Sequence, residues 1–195
     1  MRLIVNLFLL ALVAFMAFLL IQSIREPIKF KAERDARENA VIDKLILIRT
    51  MQEFYRDVTF GAFAPSWDTL KHVLETGSFR SVKVVGDPDD PRFTGEILYD
   101  TTYTPVIDTI RALGINLDSL KYVPFGEGST FKLTADTLIY QKTLVNVVEV
   151  SVPIKEFMGP FADPGFAKYD NSYDPNNLLK FGDMTKPNIA GNWER

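Results

Sequence analysis

The stretch LIVNLFLLALVAFMAFLLI, residues 3–21, decides how the rest of the chain is read. Fourteen of its residues are Leu, Ile, Val or Phe, none is charged, and Asn6 is its one strongly polar member. As a helix rising about 1.5 Å per residue it covers roughly 28 Å, the hydrocarbon thickness of a bilayer. At mid-helix each such side chain favours insertion by about 0.3–0.6 kcal/mol, so the set contributes at most roughly 4–8 kcal/mol. No charge opposes it at about 2.5–3.5 kcal/mol each. Residues 1–24 are therefore predicted to be a transmembrane anchor, with the lipid bilayer as first partner and the remainder a domain held at a membrane.

A cleaved signal peptide is the competing interpretation, with Met1-Arg2 as its charged leader. Such leaders carry an apolar run of about 7–15 residues followed by a small-x-small cleavage site. Here the run is longer, Ala14 and Ala17 lack that spacing, and Ile21-Gln22-Ser23-Ile24 is a poor exit.

The 195 residues leave about 140 for one soluble core beyond the anchor and a stem. The predicted division is a charged stem over 25–38 and a soluble α+β domain over 39–195. A net charge of −3 argues against a nucleic-acid partner, which calls for a basic stripe or patch. Absence of Cys excludes disulfides, zinc thiolate sites and thiol catalysis. Arg2 precedes the anchor; Arg25, Lys29, Lys31, Arg34 and Arg37 follow it, mixed with Glu26, Glu33 and Asp35. Counting Lys and Arg places the domain in the cytoplasm, but long translocated domains obey that count poorly.

Pro27 is expected to bend or break the helix just past the anchor. From about Lys31 helix resumes, first as a solvated stalk with little to bury and alternating charges able to pair with neighbouring copies. Leu45, Leu47, Ile48, Met51, Phe54 and Tyr55 then share one wide arc, opposite Arg49, Glu53 and Arg56, which predicts an amphipathic helix facing a core. Residues 59–65 break it. Ser66 suits the N-cap of a second helix, Asp68 its positive end and Gly77 its C′ position. Trp67, Leu70, Val73 and Leu74 would face inward, and His72, the one histidine, is expected on the surface.

Strands are predicted over 79–85 and 96–104, joined by a turn at 86–91 whose acids lack EF-hand spacing. Residues 106–113 have helical spacing, and 117–124 are ambiguous. Gly126-Glu127-Gly128-Ser129 lacks the Lys and setting of a phosphate loop and suits a hairpin turn. Residues 130–135, 137–140 and 144–152 should pair as an antiparallel sheet ended by Pro153. The tail from Gly159 onward should be irregular, pinned by Phe161, Phe166, Leu178, Leu179, Phe181 and Trp193.

Asp43 through Arg56 (DKLILIRTMQEFYR), then Gly61, Phe63, Pro65 and Asp68-Thr69-Leu70, resemble the start of type IV pilin-like proteins, the major pseudopilins of type II secretion in particular. Asp163-Pro164 and Gly191-Asn192-Trp193 resemble that family's late turn and chain end. The family's Gly-Phe cleavage site and the Glu five residues into its mature helix have no counterpart at this N-terminus. Arg25-Glu26-Pro27-Ile28-Lys29-Phe30 and Arg49-Thr50-Met51-Gln52 also resemble single-pass envelope proteins of Bacteroidota.

The resemblance implies a long helix packed on an antiparallel β-sheet. It implies an inner-membrane location with a periplasmic domain, and contact with other envelope proteins or further copies through the N-terminal helix. It also implies Ca²⁺ in C-terminal loops, with Asp163, Asp170, Asp174 and Asp183 as candidate ligands, although Asp and Asn equally close turns on their own backbone. The chain has no Gly-x-Ser-x-Gly elbow, no His-Glu-x-x-His and no cofactor motif. The expectation is a non-enzymatic structural or assembly subunit, with a tethered domain binding a ligand or envelope polymer as the alternative. An enzyme would need convergent carboxylates in a cleft.

Overall fold

A computed structural model describes residues 2–85 and 98–194. The predicted 86–91 turn, its acids, and the first two residues of the predicted 96–104 strand lie outside them.

The architecture is α+β, a long N-terminal apolar helix followed by small antiparallel sheets. Helix α1 runs over Arg2–Val58, 57 residues, with Pro27 inside it. Its first turns bury nothing, and their mean hydropathy of 2.9 makes the helix long and apolar enough to cross a membrane. The predicted break at Pro27 is absent. Proline removes one N–H, here the donor to Ser23, and a single lost bond leaves the turns on either side intact.

The arc emerges as predicted. Leu45, Ile48, Met51 and Tyr55 are buried, and Leu47 and Phe54 pack against the same core. That core begins earlier than the spacing suggested. Phe30 is 1% exposed and Val41 fully buried, so the stretch expected to be a solvated stalk is docked on the head. The expectation failed because the partners of Phe30 and the long-range partner of Arg34 lie in the C-terminal tail, and Arg37 reaches Phe157 and Phe125.

Helix α2, Trp67–Thr76, is capped by Ser66, whose side chain accepts from the Thr69 N–H at 3.2 Å. Leu70 and Leu74 are buried, Trp67 and Val73 lean on the core, and His72 is exposed. Gly77 ends the helix in extended rather than left-handed backbone (φ −79°), so it is not the predicted C′ residue. Space explains it instead: a Cβ there would stand 2.6 Å from the Val73 carbonyl and 2.7 Å from Val58 Cγ1.

Strands β1 (Ser78–Val85) and β2 (Leu98–Pro105) form an antiparallel pair, leading into α3, Val106–Ala112. The ambiguous 117–124 segment holds a 3₁₀ turn, Leu117–Ser119. The Gly126–Ser129 segment closes a tight turn beneath the Tyr122–Thr130 bridge, with the Val123 N–H on the Ser129 carbonyl at 2.9 Å. Strand β3 (Lys132–Tyr140) pairs with β4 (Thr143–Pro153). It is one strand rather than the two predicted, because Asp136 stays in register opposite Val147. After α4, Lys155–Met158, the tail is less irregular than expected. It forms β5, Leu178–Gly182, which completes a sheet of order β3-β4-β5. Asn192 holds β5 from its other side, accepting from the Lys180 N–H at 3.1 Å and donating to the Leu178 carbonyl at 2.7 Å.

Two amides hold the loop that follows α1, one from the helix and one from the sheet. Gln52, buried in α1, accepts from the Ala64 N–H at 2.9 Å, and Asn146 on β4 donates to the Gly61 carbonyl at 2.8 Å.

Candidate functional site

The chain's distinctive construction is the junction where rod, stem and tail meet. Phe30 stacks on Phe166 with ring centroids 5.0 Å apart and planes 8° from parallel. Tyr173 meets it edge-on at 5.1 Å, and Phe161 and Tyr169 complete the surround. Helical spacing brings Arg34 and Arg37 to the same face one and two turns later. Arg34 pairs with Asp170 and lies 3.4 Å from Glu38. Arg37 donates to the Phe157 carbonyl at 2.9 Å and stands over the Phe125 ring at 5.0 Å.

Burial pushes the Tyr173 hydroxyl above its usual pKa, and that hydroxyl donates to the Phe161 carbonyl at 2.6 Å. The Ser172 hydroxyl and N–H, then Arg34, hold the Asp170 carboxyl below its usual range. At the far end of the head Arg49, expected on the solvated side of α1, is covered by the tail. It donates to Glu194 at 2.7 Å, and that hydrogen bond with one from the Gly191 N–H lowers the Glu194 pKa.

Each of the four candidate Ca²⁺ ligands closes a turn on its own backbone. Asp163 accepts from the Gly165 N–H at 2.6 Å, Asp170 from the Ser172 N–H at 2.8 Å, Asp174 from the Asn176 N–H at 2.9 Å and Asp183 from the Thr185 N–H at 2.8 Å. Among the described residues no three His, Asp or Glu side chains gather as a metal-holding group. The Gly191-Asn192-Trp193 motif serves packing: a Cβ on Gly191 would stand 2.4 Å from the Trp193 ring.

Apolar surface on the described molecule includes the facing pair Ile139 and Leu144 on the β3–β4 hairpin, 75% and 70% exposed, and two larger areas. Residues 3–21 of α1 are exposed throughout. On the β1–β2 pair, Val82, Val84, Tyr99 and Tyr103 share one face by register, with the two tyrosines 68% and 65% exposed.

Phe30, Arg34, Gln52 and Asn146 escaped the sequence reasoning. Lone polar residues and one aromatic between two lysines carry no period. The available signal was the bracketing itself, since a Phe in a charged helix calls for a partner. The chain matches no protein-family model, no curated protein and no solved structure.

Proposed function

We propose that the chain is a membrane-anchored, pilin-like structural or assembly subunit of a cell-envelope complex and not an enzyme. Residues 1–24 span the inner membrane and the head lies on the periplasmic side. The observation that carries this is continuity. One helix passes from the apolar run into the core of the head, and Phe30, Arg34 and Arg37 clamp the head to it. A stiff rod transmits position to neighbours, whereas a domain that only captures ligand works as well on a flexible leash. The resemblance to pseudopilins supplies the orientation and the partners, other envelope proteins or further copies packed along the N-terminal helix.

Crosslinking in native membranes from a photoreactive residue at Phe8 or Phe15 tests this. Discrete adducts are expected; monomer alone, with nothing copurifying, overturns it. The cysteine-free chain also suits topology mapping. Lys132→Cys, on the exposed edge of β3, should react with an impermeant maleimide in intact spheroplasts. Labelling only after permeabilisation puts the head in the cytoplasm.

The exposed face of the β1–β2 pair favours a second reading, a tethered domain binding an envelope polymer. Cosedimentation with cell-wall polymer that is lost in Tyr99→Ala/Tyr103→Ala would select it.

A further inference from the structure

A groove of about 290 Å³ opens beside the stem, floored by Pro27, Ile28 and Phe30 and rimmed by Lys31, Arg34 and Tyr169. Its height follows from the anchor. Ile24 is the last apolar residue before Arg25, and a helix rises about 1.5 Å per residue, so Pro27 and Ile28 stand about 5–6 Å beyond it. The headgroup layer of a bilayer is roughly 5–8 Å thick, which sets the groove floor within it. Lys168 stands beside the groove at its Tyr169 edge, its ammonium 4.5 Å from that ring centre, and its pKa is raised first by Tyr169 and then by the charges of Glu26 and Asp163.

Charge at this level runs against the acidic chain. No carboxylate among the described residues pairs with Arg25, Lys29 or Lys31, whereas Arg34 and Arg37 are taken up by Asp170, Glu38 and Glu33. Asp170, the one acid on the rim, is engaged by Arg34 and Ser172. Arg34 Nε is buried, makes no hydrogen bond and stands 3.4 Å from Glu38 Oε2 as an ion pair, so Arg34 is already neutralised by its own helix and by Asp170. We infer that the groove holds the phosphate of one anionic phospholipid between Lys31 and Lys168, with its acyl chains descending along Ile28 and Ile24. A tyrosine at the headgroup level and cations just outside the hydrocarbon are the chemistry that interface selects.

This rests on the membrane-anchored reading, and the test separates the two. Full-length protein, purified in mild detergent and titrated with phosphatidylglycerol or phosphatidylcholine, is weighed by native mass spectrometry. Wild type should retain one phosphatidylglycerol in preference to phosphatidylcholine, and millimolar inorganic phosphate should not displace it. Lys31→Gln/Lys168→Gln should weaken retention about tenfold or more, as two interfacial charges predict. Arg25→Gln/Lys29→Gln, the same charge change on the other side of the rod, should leave it within about twofold. Equal retention of both lipids, displacement by phosphate, or equal loss in both variants overturns the inference. Carbonate extraction of wild type checks the parent reading: protein that stays in the membrane without lipid selectivity loses only this inference, and protein that washes off loses both. Circular dichroism confirms that each variant is folded.

Discussion

Phe30 is the side chain on which the stem and the C-terminal tail both depend. Phe30→Ala would leave a hole among Phe161, Phe166, Tyr169 and Tyr173. Truncating a buried Phe costs about 3–5 kcal/mol. The expected result in urea melts is a loss of that size, with early proteolysis in the loop around residues 163–174. Two glycines give a sharper contrast. At Gly182 (φ 84°) a Cβ would sit 1.9 Å from the Val148 carbonyl, while at Gly114 (φ 67°) it meets nothing within 4 Å. Gly114→Ala should cost about 1–2 kcal/mol, the strain of left-handed backbone alone. Gly182→Ala should cost well beyond that and abolish folded expression. The carboxylates of Asp170, Asp183 and Glu194 are depressed, each first by a hydrogen bond from Ser172, Thr185 or Arg49. A depressed carboxylate stabilises the fold above its unfolded pKa, and that stability is lost as pH falls through the folded one. Trp193 fluorescence should therefore report release of the tail below about pH 4, the ordinary carboxylate range, and no change between neutrality and pH 5.

Among the elements, the β3–β4 hairpin is held by Gln141 and Lys142, both at positive φ (49° and 69°). A two-residue turn of this shape prefers Asn-Gly. Gln141→Asn/Lys142→Gly should raise the melting temperature by about 2–4 °C if it contributes about 1 kcal/mol, by the scaling for domains of this size. The helical arc over 45–55 was legible because a 3.6-residue period repeats within a few turns, and the strands because Val, Thr and Tyr cluster between turn formers. Strand β5 was not. Its five residues sit in a tail rich in Pro, Asp and Asn, and they become a strand only by pairing with β4 and with Asn192. The docking of the stem was hidden for the same reason. Arg34 and Asp170 are 136 residues apart, and no local pattern encodes a contact at that range.

At the scale of the whole molecule, the apolar run was the plainest feature in the chain, and it dominates the structure's surface. The candidate site was only half visible. The cations after the apolar run could be counted, and the Arg34–Glu38 and Glu33–Arg37 pairs have a legible i,i+4 spacing, but the capture of Arg34 by Asp170 of the head depended on three dimensions. The unbroken helix through Pro27 has a mechanical result. Val58 lies 34 residues beyond Ile24, about 51 Å up the axis at 1.5 Å per residue. On the proposed membrane-anchored reading, with the helix continuous through Pro27, its apolar part acts as the short arm of a lever. A bilayer thin enough to incline it by about 10° would swing the far end sideways by about 9 Å, and a thicker one would stand it upright. On that same reading, where the head comes to rest is set by the thickness of the membrane around the apolar run.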